Sequence, residues 1–463
     1  MTNKRELNVH AGLLILVACV LHAGTSTAQE PFATLPGLNG LFPKDIQCIA
    51  VRDSIFLSFR SGDNVFTRWV LPDGRIADAW LTGLKDKLLC GITAHNNRMK
   101  TFYFLEQEKH TILIKAMQTD QANNSNAFLP GQLELSGIFI GSYTEGENLL
   151  IFSFEKGNFQ LRVTTVKRLQ ISEDKLYAVS LDPGRYNRDQ MTIIRDGSVL
   201  GSVQALAKVK IFIRADGISI VVDDEGDYLN EQYRLRGTTV IRLNKASGES
   251  NIKFFMDSTD HSFSSFLLDN YLFKARRNDI SIFDVNTGKL LQTIDIGLDK
   301  SMKERLIFIK KGNSNRIWKN EQLYAAKRKP GQPYVVVNKD SLRNSYVLTW
   351  GFYEDERGMI MPAFGPAGIA AALIGAIVSN AVIQSLDGKA ISRYFYMAGD
   401  PVKGFDFSSN DADQIVKQKI DGYEIAQQEK GNRYGYKGYF QSEKGIVAVY
   451  QNTTSNRLEF IVF

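Results

Sequence analysis

The sequence predicts a mainly β fold, and three observations carry that prediction. Short runs of aromatic and β-branched residues recur from residue 44 onward, among them SIFLSFR (54–60), NVFTRWVL (64–71), MKTFYFL (99–105), HTILIKA (110–116) and NLLIFSF (148–154). Pairs that favour tight turns fall between such runs, as at Asp73-Gly74, Gly157-Asn158, Asp196-Gly197 and Asp216-Gly217. Sustained helical periodicity is scarce before residue 360. The 463 residues exceed the ~100–200 of an ordinary domain, so two or three domains or one large repetitive domain fit the length. With 44% hydrophobic and 23% charged residues, the composition is that of a globular chain and excludes global disorder.

Taken in order, the first element is an export signal over residues 1–28. Lys4 and Arg5 precede an apolar run from Ala11 to Leu21, and Ser26-Thr27-Ala28 places small residues at the −3 and −1 positions, predicting cleavage before Gln29. Leu16-Val17-Ala18-Cys19 also resembles a lipoprotein lipobox, which would lipidate Cys19, although Val20 and Leu21 continue the apolar run beyond it. Either route exports the chain, to a periplasm, an outer surface or the medium. An oxidising space leaves Cys48 and Cys90 two readings, a disulfide or two buried thiols. A bridge would restrain the unfolded chain by roughly 4 kcal/mol.

The strand pattern continues through KVKIFIR (208–214) and GISIVV (217–222) to the most specific stretch, FLLDNYLFKARRNDISIFDVNTGKLLQTIDIG (266–297). Three strand-like runs there are joined by a polar turn at Arg276–Asn278 and by Asn286-Thr287-Gly288. The stretch resembles one blade of a β-propeller, a four-stranded antiparallel unit of roughly 40–50 residues repeated around a channel. On that spacing residues 44–350 hold about seven blades. The fold is therefore expected to be β-propeller-like, with a tandem β-sandwich as the alternative. TDQANNSN (119–126) and KRKPGQP (327–333) are expected to be loops.

Residues 358–386 carry no charge over 29 positions. Pro362 and Pro366 suit a helix entry. Ala367, Ala371, Gly375 and Ser379 then recur every fourth position, with Gly368, Ala372 and Ala376 beside them. Small residues at that spacing allow close approach of a second backbone, as in associating membrane helices. The stretch is expected to be an apolar helical insertion that either covers its own core or contacts a membrane. Strand-like segments resume at SRYFYMAG (392–399), YGYKGYF (434–440), GIVAVYQ (445–451) and RLEFIVF (457–463). The expected organisation is a signal (1–28), a body (29–350), the insertion (351–390) and a C-terminal β segment completing the body (391–463).

Chemistry-bearing motifs are few. No H-E-x-x-H, G-x-S-x-G, P-loop or dinucleotide fingerprint occurs, so no catalytic residue, metal site or cofactor is predicted. His95 and His261 read as solvated turn residues, as do the acidic turns at Asp223–Asp227 and Asn410–Asp413. The net charge of +6 is local: Lys300, Lys303, Arg305, Lys310, Lys311, Arg316, Lys319, Lys327, Arg328 and Lys329 face only Glu304 and Glu321 within residues 300–329. Such a patch suits an anionic surface, while nucleic acid is disfavoured as the partner of an exported chain. The reading is an exported cell-envelope binding or scaffolding module whose partner is a protein or polysaccharide. A carbohydrate-active enzyme with convergent carboxylates and a membrane-associated assembly are the alternatives.

Overall fold

Alternating apolar residues put one side of each strand run against a neighbour, and local turn chemistry sets where the chain reverses. At Asp73-Gly74 the Asp73 carboxylate accepts the Arg75 N–H at 3.0 Å, and Gly74 takes φ 83°, a conformation open to glycine without cost. The computed structural model describes residue 31, residues 33–35 and most of 44–463. Residues 180–190, 196–204, 225–235, 296–305, 320–330, 356–389 and 407–415, with several shorter connections, lie outside the description. The export signal and the uncharged stretch therefore fall outside the described residues.

The first element among the described residues is β1 (Ala33–Leu35). Blade 1 comprises β2 (Lys44–Val51), β3 (Ser54–Ser61), β4 (Asn64–Val70) and β5 (Ile76–Thr82). Blade 2 comprises β6 (Leu88–Ala94), β7 (Met99–Glu108) and β8 (Thr111–Asp120), with β9 (Ser125–Phe128) and β10 (Leu133–Ser136) both paired to β8. Blade 3 comprises β11 (Ile138–Glu145), β12 (Asn148–Phe154), β13 (Gln160–Lys167) and β14 (Gln170–Ala178). Blade 4 adds β15 (Met191–Arg195), parallel to β16 (Val209–Arg214), which continues into β17 (Gly217–Asp224), β18 (Gly237–Leu243) and β19 (Ser250–Met256). Blade 5 comprises β20 (Ser264–Leu268), β21 (Tyr271–Ala275), β22 (Asp279–Asp284) and β23 (Leu290–Asp295). This is the stretch in which the sequence resembled a blade.

Blade 6 is built from β24 (Leu306–Lys311), β25 (Ser314–Lys319), β26 (Gln332–Asp340), β27 (Ser345–Asp355) and β28 (Ala390–Asp400), in the spatial order β25-β24-β28-β27-β26, with β29 (Gly404–Asp406) on β28. Helix α1 (Val416–Glu429) follows. Then β30 (Tyr434–Ser442), β31 (Gly445–Asn452) and β32 (Arg457–Val462) form a last sheet whose outer strand is β1, in the register Ala33↔Phe460.

The fold is a β-propeller. Six blades are each drawn from one contiguous stretch of chain, and a seventh sheet joins the two ends. Blades 2, 4 and 6 carry extra strands, and blades 4 and 6 each take more chain than the expected spacing. The strands after residue 390 belong to blade 6 and the closing sheet. Two expected loops are narrower than their sequences suggested. The strand β8 runs to Asp120 and β9 starts at Ser125, while Gln332-Pro333 opens β26 with Pro333 buried. A proline is tolerated there because β26 ends its sheet and one side of its ladder needs no N–H donor.

The ends of β16, β20 and β26 meet on one face: Lys339, near the end of β26, bonds Asp269 after β20, and Arg214, ending β16, donates to the Asp269 carbonyl. We call this the turn face. Apolar layers fill the space between blades. Phe212, Val221, Val240 and Phe255 of blade 4 pack with Phe273, Ile280 and Ile282 of blade 5 and Val335, Trp350 and Phe395 of blade 6. The opposite side of blade 4, including Ile211, Ile220 and Ile241, packs on Phe152, Leu161 and Tyr177 of blade 3. Alternation of side chains along each strand supplies both layers at once.

Candidate functional site

Four polar constellations among the described residues bear on function. On the face opposite the turns, blades 4 and 5 share a buried ion network. Lys210 Nζ lies 2.9 Å from Asp223 Oδ2, with both side chains essentially fully buried. Asp223 also accepts the Thr238 hydroxyl at 3.0 Å and the Ser265 N–H at 2.8 Å. Burial alone would raise this carboxyl, but the Lys210 ammonium and the hydrogen bonds outweigh it and hold the group below its ordinary 3.8. Beside it, Lys274 pairs with Asp257 at 2.9 Å and stands 4.2 Å over the Phe263 ring, and Arg276 joins Asp257 to Asp279. Asp223 is thus a buried partner and not part of a solvated acidic turn. Its place on β17, in register with Thr238, turns it toward the sheet interior.

The second constellation sits on α1, between blade 6 and the closing sheet. Asp421 Oδ2 accepts the hydroxyls of Tyr394 at 3.0 Å and Tyr396 at 2.6 Å. One turn later, Glu424 Oε1 accepts Tyr439 and, at 3.3 Å, Tyr450. Both carboxylates are buried. Burial and the neighbouring carboxylates push all four tyrosines well above 10.

The third is His95, whose side chain is only 2% exposed, so it is not the solvated turn histidine expected from its neighbours. Its Nε2 lies 2.9 Å from the Thr101 hydroxyl, and Glu147, which Lys167 binds at 2.7 Å, stands 3.7 Å from Nδ1. Although this resembles a nucleophile–base–acid row, Thr101 is fully buried and has no surface from which to meet a substrate. Burial first, and then Arg168, lower the His95 basicity.

The fourth is open. On the turn face, the side of blade 4 that looks toward blade 5 carries Val240, Arg242, Asn251 and Lys253, because Val240 pairs with Lys253 and Arg242 with Asn251 across β18 and β19. The turn after β22 supplies Val285 and Asn286. These six residues enclose a cavity of about 130 Å³. Arg242 donates to Asn286 Oδ1 at 2.6 Å and to Asn270 Oδ1 at 3.0 Å, and Lys253 Nζ donates to the Asn286 carbonyl. The turn is held by its own sequence: Asp284 accepts the Thr287 N–H at 2.8 Å, and Gly288 takes φ 75°. A shallow groove of about 830 Å³ shares Arg242 and Asn251 with this cavity and is lined further by Ala178 of blade 3 and by Leu243, Asn244, Glu249 and Ser250.

The sequence-predicted residues are placed as follows. Cys90 is a free, buried thiol donating to the Tyr103 carbonyl at 3.3 Å, so no Cys48–Cys90 bridge forms, and burial pushes it up to about 12. Lys310 and Lys311 end β24, and Arg316 and Lys319 lie on β25, the outermost pair of blade 6, with α1 beside β25. The other six basic residues, the small-residue row from Ala367 to Ser379, His261 and Asn410–Asp413 lie outside the described residues. Arg242, Asn251 and Lys253 were not singled out in the sequence. Asn286 was, but only as a turn residue. Among the described residues, no group of three or more His, Cys, Asp or Glu side chains is placed to hold a metal, and no helix is long and apolar enough to cross a membrane.

No family model matches the chain, and no curated protein matches it. Among solved structures, it is similar to the AfRom2 CNH domain (10% identity, 71% of this chain and 92% of that one, TM-score 0.30). It is also similar to Hsv2 of Kluyveromyces lactis (10%, 65% and 91%, 0.27) and to a subtype N10 neuraminidase-like protein of A/little yellow-shouldered bat/Guatemala (7%, 70% and 95%, 0.30). Scores this low carry no argument, and the propeller assignment rests on the sheet topology.

Proposed function

We propose that this chain is an exported cell-envelope binding or scaffolding protein, and that its ligand enters the cleft between blades 4 and 5. The observation that supports this reading is the contrast between the polar sites. The acids and bases of the ion network, the tyrosine-capped carboxylates and the His95 side chain are buried, whereas Asn251 and Asn286 of the Arg242–Asn251–Lys253–Asn286 cleft are exposed and the cleft opens between two packed blades. Donors and acceptors held by packed strands lose little freedom on binding, which favours recognition.

The test is retention of the purified protein on immobilised envelope polysaccharide and envelope protein fractions, alongside Ser250→Trp. Ser250 is exposed at the groove, so a tryptophan there obstructs the groove without disturbing a core. Retention by the parent protein and its loss in the variant is expected; equal retention of both sinks the cleft assignment. Export is tested by fractionation and amino-terminal sequencing, with Gln29 expected as the first residue. A cytoplasmic product still carrying residues 1–28 would refute it.

A protein partner is favoured by one further feature. Ile252, Phe254 and Met256 are 50%, 43% and 64% exposed at alternate positions of β19, the outer strand of blade 4. Alternate positions share one side of a strand, so they form an apolar stripe suited to a protein surface.

A further inference from the structure

Apart from the cleft, we infer that the edge of β16 facing away from β17 is a peptide-binding edge, occupied in this structure by the chain's own β15. Its ligand is an extended peptide that carries an aliphatic residue where Ile193 now sits. The strands β16 to β19 already make a complete four-stranded antiparallel blade, as in blades 1, 3 and 5. On the edge opposite the outer strand β19, β15 is added in parallel, in the register Met191↔Val209 to Arg195↔Ile213. Every other pairing among the described strands is antiparallel. A chain that folds directly back gives an antiparallel neighbour, and a parallel one requires a crossover. Chain continuity therefore does not put β15 there. The N–H and C=O groups along the β16 edge do, as they would for any strand of matching side chains.

Two side chains fit β15 to its place. Ile193, level with Ile211, faces blade 3, where Gly141 of β11 leaves a notch. A Cβ at residue 141 would lie 2.2 Å from Ile193 Cδ1, and the three atoms nearest to it all belong to Ile193. Ile194, level with Phe212, turns to the other side and joins the apolar layer shared with blade 5, where it is buried. The edge thus reads two successive apolar side chains from opposite sides and holds the rest through main-chain bonds. Release of β15 leaves the blade intact. Residues 180–190 join it to Val179 and residues 196–204 join it to Ala205. Both anchors are buried, and the Ala205 carbonyl accepts the Ser264 hydroxyl of blade 5 at 2.8 Å. Neither β14 nor β16 has to move when β15 departs. A tethered strand competes at an effective concentration of about 1 mM, so against a free peptide of intrinsic Kd ~100 μM it raises the apparent Kd about tenfold.

The test is fluorescence anisotropy of a labelled synthetic peptide of residues 189–197 titrated with the full protein. The double variant Ile193→Ser/Ile194→Ser weakens the chain's own strand and should bind the peptide at least about tenfold more tightly than the parent does, while keeping a cooperative thermal transition. Adding Gly141→Ala to that variant fills the notch and should weaken binding at least about tenfold. A peptide with alanine in place of Ile193 should bind more weakly and be indifferent to Gly141→Ala, because the Cβ of residue 193 lies 4.0 Å from a Cβ at residue 141. Equal binding by the parent and the double variant, binding by neither, or binding of the unaltered peptide that ignores Gly141→Ala would overturn the inference. If the double variant does not fold, native-state hydrogen exchange of the parent decides. The β15 amides should exchange by local opening, ahead of those in β16 to β18, and exchange of β15 only with global unfolding would overturn it.

Discussion

Replacing Lys210 by methionine tests whether the buried ion network between blades 4 and 5 holds the ring together. Lys210 and Asp223 lose essentially all contact with water in the fold. Methionine keeps much of the lysine stem volume, so the change removes the charge more than the packing. It leaves the Asp223 carboxylate buried with only the Thr238 hydroxyl and the Ser265 N–H among the partners described above. Breaking a buried pair by removing one member costs about 3–5 kcal/mol, because the remaining charge has no water and loses its direct counter-ion; here Lys274, which also feels the Asp223 charge, keeps the loss at the low end of that range. The double variant Lys210→Met/Asp223→Asn removes that charge, and the carboxamide can still accept from Ser265 and meet Thr238, so most of the loss should return. Urea unfolding followed by intrinsic fluorescence measures all three proteins. A loss below about 1 kcal/mol for Lys210→Met, the scale of a surface pair, would show that the site is hydrated and refute the reasoning. The pH dependence supplies a second reading. The Asp223 carboxyl is held below 3.8, so its contribution is complete above the unfolded value and is lost as pH falls through the lower folded value. Lys210→Met should flatten that acid limb.

Three further outcomes are expected. Tyr394, Tyr396, Tyr439 and Tyr450 are held well above 10, so stability should fall as pH rises past the unfolded tyrosine value, and ultraviolet titration should show a tyrosine class ionising only with unfolding; Tyr396→Phe should cost about 1.5–3 kcal/mol for its bond to a carboxylate. With His95 lowered below 6.5, the fold loses stability as pH drops below that value, where the unfolded chain takes up the proton more readily; a calorimetric pH series on His95→Gln should lack that slope. The Cys90 peptide should resist iodoacetamide in the native protein near pH 8 and label after unfolding, as followed by mass spectrometry, whereas rapid native labelling would contradict a thiol near 12.

What could be read in advance follows the range of the forces involved. The Asp284–Lys289 turn was legible because its determinants are local: a carboxylate three residues before the N–H it accepts, and a glycine at positive φ. Strands such as β12 and β16 were legible because a buried interior demands runs of apolar residues. The helix α1 was missed because Asp421 and Glu424 share its buried side with Ile420 and Tyr423, which breaks the apolar periodicity that announces a helix. Asp223 looked solvated because its neighbours are acidic, while Lys210, which defines its environment, lies on another strand. The cleft was invisible for the same reason. Arg242 and Lys253 are ordinary strand residues until the blade 5 turn stands opposite them.

The pairing of β1 with β32 sets an order of events. Ala33 must find Phe460 across nearly the whole length of the chain. Closing a loop that long is entropically expensive, and contacts of such separation form slowly. During synthesis, blades 1 to 6 can each assemble from chain already made, but the last sheet cannot until its final strand emerges. Until then β1 and the flank of β2 that receives β30 are both without their mates, and a half-finished ring exposes the apolar layer of Ala33, Leu35, Ile55 and Leu57. The seam that makes the finished ring hard to open is therefore also the interval in which the nascent protein is most exposed to aggregation and proteolysis.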